Sequence, residues 1–191
     1  MNKHLVAGLL FAALSAGASA QSAPSAYGLI SVGSSRLSVD CSGTSNCDKT
    51  DTAYKLLAGY KYSPNFAAEA GLFGFGKARA SDGTVSAQIK NEAFGAGVAF
   101  HQDLAPDWNF VARVGLASVR TKISGAVSGL GSVSDSDNNV APYAGLGVGY
   151  KLSKTVSLDG AVDFSRSKYN KNGVDESGSL SAISIGLTFG F

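Results

Sequence analysis

Five ionisable side chains, Lys55, Glu69, Arg113, Asp159 and Asp163, occur in segments that are otherwise almost free of charge. Bases and acids confined together should pair, because an isolated buried charge is expensive, and such a set serves either as a structural network or as a proton-sensitive gate. Other groups capable of chemistry are few. Cys41 and Cys47 lie between Asp40 and Asp48, but histidine, a common partner of cysteine at metals, is represented only by His4 and His101. The same scarcity argues against hydrolysis, since a serine nucleophile needs a base such as histidine beside it. Gly145-Leu146-Gly147-Val148-Gly149 superficially resembles a nucleotide-binding loop, yet no helical pattern follows, and a strand with glycine at alternate positions accounts for it. No metal, cofactor or catalytic set is expected.

The segments that must position these groups have a period of two. Tyr54, Leu56, Ala58, Tyr60 and Tyr62 alternate with Lys55, Leu57, Gly59 and Lys61, and Phe66, Ala68, Ala70 and Leu72 alternate with Ala67, Glu69, Gly71 and Phe73. The same alternation runs through 93–100, 110–117, 142–152, 156–164 and 182–191. Each segment is a strand with one apolar face. A less regular strand at Tyr27–Arg36 brings the expected number to eight. The five charges fall on the other face, among Gly, Ala and Ser.

Length and composition fit one β-rich domain: 191 residues with 24 Gly, 4 Pro and a formal charge of +2. Near-neutral charge offers no footprint for nucleic acid. Met1–Ala20 reads as a cleaved secretory signal, with Lys3 and His4 ahead of apolar Leu5–Leu14 and Ala18-Ser19-Ala20 before the cut. Gln21–Phe191 is then the exported domain. Short connectors at 63–65, 101–107 and 153–155 interleave with polar stretches at 37–51, 77–87, 122–139 and 167–178, of which Ser124–Asn139 is expected to be mobile. Short turns at one end and four long loops at the other, joining an even number of antiparallel strands, characterise an up-and-down transmembrane barrel of the bacterial outer membrane. Closure is required there, because lipid leaves no partner for an open sheet edge.

Three further features follow from that placement. Tyr60, Tyr62, Phe66, Phe100, Trp108, Phe110, Tyr150, Phe189 and Phe191 gather at the short-turn end, as an interfacial girdle would. The last strand, with Ser184, Gly186, Phe189 and the terminal Phe191, has the form of the strand by which outer-membrane barrels engage their assembly machinery. Cys41 and Cys47 would meet an oxidising compartment and form a disulfide that staples the first long loop.

Gly59-Tyr60-Lys61-Tyr62-Ser63-Pro64-Asn65-Phe66-Ala67-Ala68-Glu69-Ala70-Gly71, Ala112-Arg113-Val114-Gly115 and Pro142–Tyr150 resemble strands of the OmpA-family transmembrane domain and its small eight-stranded relatives. The resemblance covers essentially the whole exported chain. It implies an inward acid and base at Glu69 and Arg113, part of a network thought to gate a small pore in some members. Gly149 and Asp159 stand where a further acid and base would be expected. The resulting expectation is a monomeric, non-enzymatic barrel of the Gram-negative outer membrane, in contact with its lipid and lipopolysaccharide. It would contribute to membrane integrity, or to adhesion to an unknown surface ligand through its loops. A small gated pore or transporter, closed by a Glu69–Arg113 contact, is the alternative, and a lipid-modifying enzyme is disfavoured.

Overall fold

The computed structural model describes residues 25–38, 45–82, 85–127, 131–171 and 174–191. The expected signal segment and Cys41 lie outside them. Every element among the described residues is a strand: β1 (Ala26–Leu37), β2 (Asn46–Asp48), β3 (Thr50–Lys61), β4 (Phe66–Asp82), β5 (Val85–Ala105), β6 (Trp108–Val127), β7 (Gly131–Lys151), β8 (Val156–Lys171) and β9 (Val174–Gly190). The eight long strands pair antiparallel with their neighbours in sequence, and β1 also pairs with β9, which closes the ring. The short β2 adds to the outer end of β4 through Cys47 opposite Ala80.

The pairings fix how strongly the wall is sheared. One row of partners runs from Tyr27 through Gly59, Glu69, Gly97, Gly115, Tyr143, Ser165 and Leu180, and returns to β1 at Leu37, ten residues further along the strand. A stagger of ten over eight strands tilts them roughly 40° from the barrel axis. Residues far apart in a strand diagram are thereby brought to one height inside the lumen.

Two sequence expectations require correction. The polar stretches at 77–87, 122–139 and 167–178 are mostly continuations of the strands: β4 and β5 pair out to Asp82 and Val85, β6 and β7 to Val127 and Gly131, and β8 and β9 to Lys171 and Val174. Beyond the membrane both faces of a ribbon meet water, so the apolar alternation stops while the ladder of hydrogen bonds continues. The described residues of 124–139 thus belong to paired strands of β6 and β7. At the opposite end the 101–107 connector shrinks to Pro106 and Asp107, because β5 runs on to Ala105. The remaining short turns are tied by serine: Ser63 Oγ accepts from Phe66 N at 3.0 Å, and Ser153 Oγ from Val156 N at 3.1 Å.

The wall sorts its faces cleanly. Outward Leu56, Leu72, Phe94, Leu116, Leu146 and Ile185 are exposed, whereas Lys55, Glu69, Arg113, Asp159 and Asp163 are buried inside. This inverts the arrangement of a water-soluble protein, as a lipid environment requires. Aromatic contacts stiffen the short-turn rim, with Phe66 and Phe100 centroids 5.3 Å apart and Trp108 and Tyr150 5.1 Å apart.

Candidate functional site: the barrel lumen

The lumen is filled in layers. Lowest, toward the short turns, β1 and β5 bring Tyr27 and His101 together, with Tyr27 Oη 3.1 Å from His101 Nε2 and the rings edge to face. Tyr27 also donates to Glu69 Oε1 at 2.6 Å, and Arg113 Nε donates to Glu69 Oε2 at 2.9 Å. A hydrogen-bonded line therefore runs from His101 through Tyr27 and Glu69 to Arg113. The sequence places His101 at the start of a short connector. It lies instead within β5 with its ring inside the barrel.

Above this line sits a second ion pair. Lys55 Nζ on β3 reaches Asp163 Oδ2 on β8 at 2.6 Å, both side chains 4% exposed, and Tyr143 donates to the other carboxylate oxygen at 3.3 Å. Glycine makes room for the acids. A Cβ on Gly145 would lie 2.6 Å from Asp163 Oδ1, and one on Gly149 would lie 2.7 Å from Asp159 Oδ1. The Gly145–Gly149 run thus gives its inward glycines a role as the floor under two carboxylates. The network differs in its parts from the one the OmpA resemblance implied: Lys55 and Asp163 supply the second pair, while Gly149 is a space.

Aromatic and aliphatic side chains close the lumen above the charges. Phe73, Phe75, Tyr143, Leu37, Leu57, Val119 and Leu180 form one buried cluster, with Phe73 and Tyr143 centroids 4.8 Å apart. The alternative that the sequence offers is a lumen closed by the Glu69–Arg113 contact. Among the described residues a void of about 10 Å³ lies between Leu57, Glu69, Phe73 and Tyr143, too small to carry a water path. Sealing is therefore shared between two ion pairs and an apolar plug that sequence reading did not find.

Asp159 is the member left over. It is buried, and among the described residues it has no ion-pair partner; its Oδ2 and the neighbouring Asn109 Oδ1 have no hydrogen-bond partner. Three acids thus share the interior with two bases. Asp159→Asn keeps the shape and removes the uncompensated charge, so the free energy of urea unfolding should rise by about 1 kcal/mol or more, with a higher midpoint. A fall in the midpoint would show that the charge is wanted in the fold.

Outside the membrane-spanning segments, Lys90 and Glu92 pair at 2.5 Å on the outer face. Their hydrogen bond holds the lysine above, and the glutamate below, its ordinary pKa.

A closed eight-stranded ring, apolar outside and charged within, defines a small barrel of the bacterial outer membrane. The chain matches the outer membrane protein beta-barrel domain family over residues 6–191 and belongs to that family. Among solved structures it is similar to neisserial surface protein A, at 14% identity over 90% of this chain and 100% of that one with a TM-score of 0.62. It is also similar to Ail, the attachment invasion locus protein of Yersinia pestis, at 14% identity over 86% and 98% with a TM-score of 0.53. OprG of Pseudomonas aeruginosa matches at 12% identity over 88% and 97% with a TM-score of 0.52. These likenesses concern the fold. No curated protein matches the sequence.

Proposed function

We propose that this chain is a non-enzymatic, sealed barrel that supports outer-membrane integrity and presents its outer hairpins for surface interaction. The observation that carries the reading is the plugged lumen: buried ion pairs beneath a packed aromatic cluster leave the outer surface as the place where function resides. Loops on a rigid scaffold commonly carry recognition. One structural relative bears a name that speaks of attachment, which agrees with an adhesive role. The gated-pore reading draws on the Glu69–Arg113 pair but must also open the cluster above it.

The reading includes export through a signal at residues 1–20 and assembly through the last strand. Phe189 and Phe191 lie exposed at the short-turn rim, and Phe191 N bonds Ala26 O at 2.8 Å across the closing seam. Phe191→Ser should lower the outer-membrane yield while export continues; unchanged yield would remove the strand's role in assembly. The staple belongs to the same proposal. Cys47, exposed on β2, and Cys41 should resist alkylation until reduced, and ready labelling of the unreduced protein would count against the bond. The functional reading itself is tested by deleting the gene's product and measuring both entry of large antibiotics and adherence to host cells. Loss of either that returns with the intact chain, but not with a chain whose β6–β7 hairpin is shortened, is expected. No change in either property would overturn it.

A further inference from the structure

On the outside of the wall, just beyond the apolar band, three lysines stand in one row. Lys77 on β4 is the register partner of Lys90 on β5, and Lys90 is the partner of Lys122 on β6. Like charges directly opposite one another weaken a sheet, so a lysine ladder across three strands calls for a compensating anion. Arg120 adds a fourth cation one outward step below. Together with Gln88, Glu92 and Ser124 these residues line a groove of about 370 Å³.

The acids nearby are already engaged. Glu92 is held by Lys90 at 2.5 Å and by the Tyr54 hydroxyl at 3.2 Å, and Asp51 accepts from the backbone amides of Thr52 and Lys77 at 2.8 Å each. The next strand offers only Ser136 and Asn138 opposite Lys122 and Arg120. Four cations thus face one carboxylate, and Lys77, Arg120 and Lys122 have no ion-pair partner among the described residues.

The local backbone is built to produce this row. The β4–β5 register shifts between Gly74 and Lys77, and Gly76 adopts a φ of +64°, a conformation that other residues take at a cost. Because the bulge adds to β4, Phe75 and Ala78 both point inward and are buried, and Lys77 falls outward between them.

Height identifies the ligand. Phe94, exposed and outward, ends the apolar band on β5, and Lys90 lies four residues beyond it. At ~3.4 Å per residue and a tilt of ~35–45°, that is about 10 Å above the hydrocarbon. Lysine stems reach several ångströms back toward the membrane. The row therefore stands among the headgroups of the outer leaflet. The geometry points to a binding site for the phosphate groups of an anionic, saccharide-bearing lipid of that leaflet, held by Lys77, Lys90, Lys122 and Arg120 on the lipid-facing wall. The inference rests on the integrity-supporting role above and gives that role a lipid partner.

The test uses the full chain refolded in zwitterionic detergent and titrated with diphosphorylated lipid A, with the lipid-bound fraction read by native mass spectrometry. At about 1 kcal/mol per lysine near an anionic surface, the Lys77→Gln/Lys90→Gln/Lys122→Gln variant should bind roughly 100-fold more weakly than wild type. A Lys154→Gln variant in the opposite, short-turn rim should bind as wild type does. Dephosphorylated lipid A should bind both proteins weakly, and excess inorganic phosphate should not displace the phosphorylated lipid. Equal binding by wild type and the triple variant overturns the site. Displacement by inorganic phosphate overturns the lipid as its source. Equal unfolding midpoints without lipid show that the triple variant is folded; if it fails to fold, Lys122→Gln alone must still weaken binding about fivefold or the site is rejected. Binding that holds while deletion leaves membrane integrity unchanged rejects the cellular role and keeps the site.

Discussion

Arg113→Ala should destabilise the folded barrel by about 3–5 kcal/mol, the cost of breaking a buried ion pair from one side. Glu69 is 7% exposed and would keep only the Tyr27 hydroxyl as a hydrogen-bond donor. Removing the acid as well relieves that penalty. The Glu69→Ala/Arg113→Ala protein should therefore be no less stable than Arg113→Ala, with a coupling energy of about 0.5–3 kcal/mol in the double-mutant cycle. Urea unfolding in lipid, followed by the heat-modified gel band, reads all four proteins. Strict additivity would mean that the two side chains do not act as a pair in the membrane.

Much of the fold was legible because a lipid-spanning strand leaves a local record. Tyr54 to Tyr60 alternate in the sequence, and in the barrel the outward residues are exposed while those between them are buried or half-buried, since a two-residue period is all a wall needs. The identity of the interior charges was legible for the same reason. Their partners were not. Lys55 meets Asp163 across 108 residues, and only the ten-residue stagger of the closed ring places them at one height. The aromatic plug is not legible in the sequence because Phe73 and Tyr143 lie on β4 and β7, distant strands that only the closed ring brings together. His101 was misplaced because β5 runs past the point where its apolar alternation fades. The outer hairpins were read as loops because wet ribbons lack a face to bury. The lysine row could not be read at all, since the bulge at Gly74–Lys77 decides which side Lys77 takes.

The second large effect is on ion flow. An eight-stranded barrel has an interior that side chains just fill, so conduction depends on what fills it. Here two ion pairs lie beneath Phe73, Phe75 and Tyr143, and the layers obstruct in series. Glu69→Ala alone should leave the upper seal closed. Phe73→Ala/Phe75→Ala alone should leave the charged layer closed. Combining the three substitutions with Lys55→Ala/Asp163→Ala, which removes the second ion pair, clears both layers and should produce discrete openings, with heat-modified mobility showing that the wall survives. Planar-bilayer recording of the wild-type protein is the most direct test of the sealed lumen. The account predicts no resolvable single-channel current at neutral pH; steady, regular openings of the unmodified barrel would contradict it and make the pore its function.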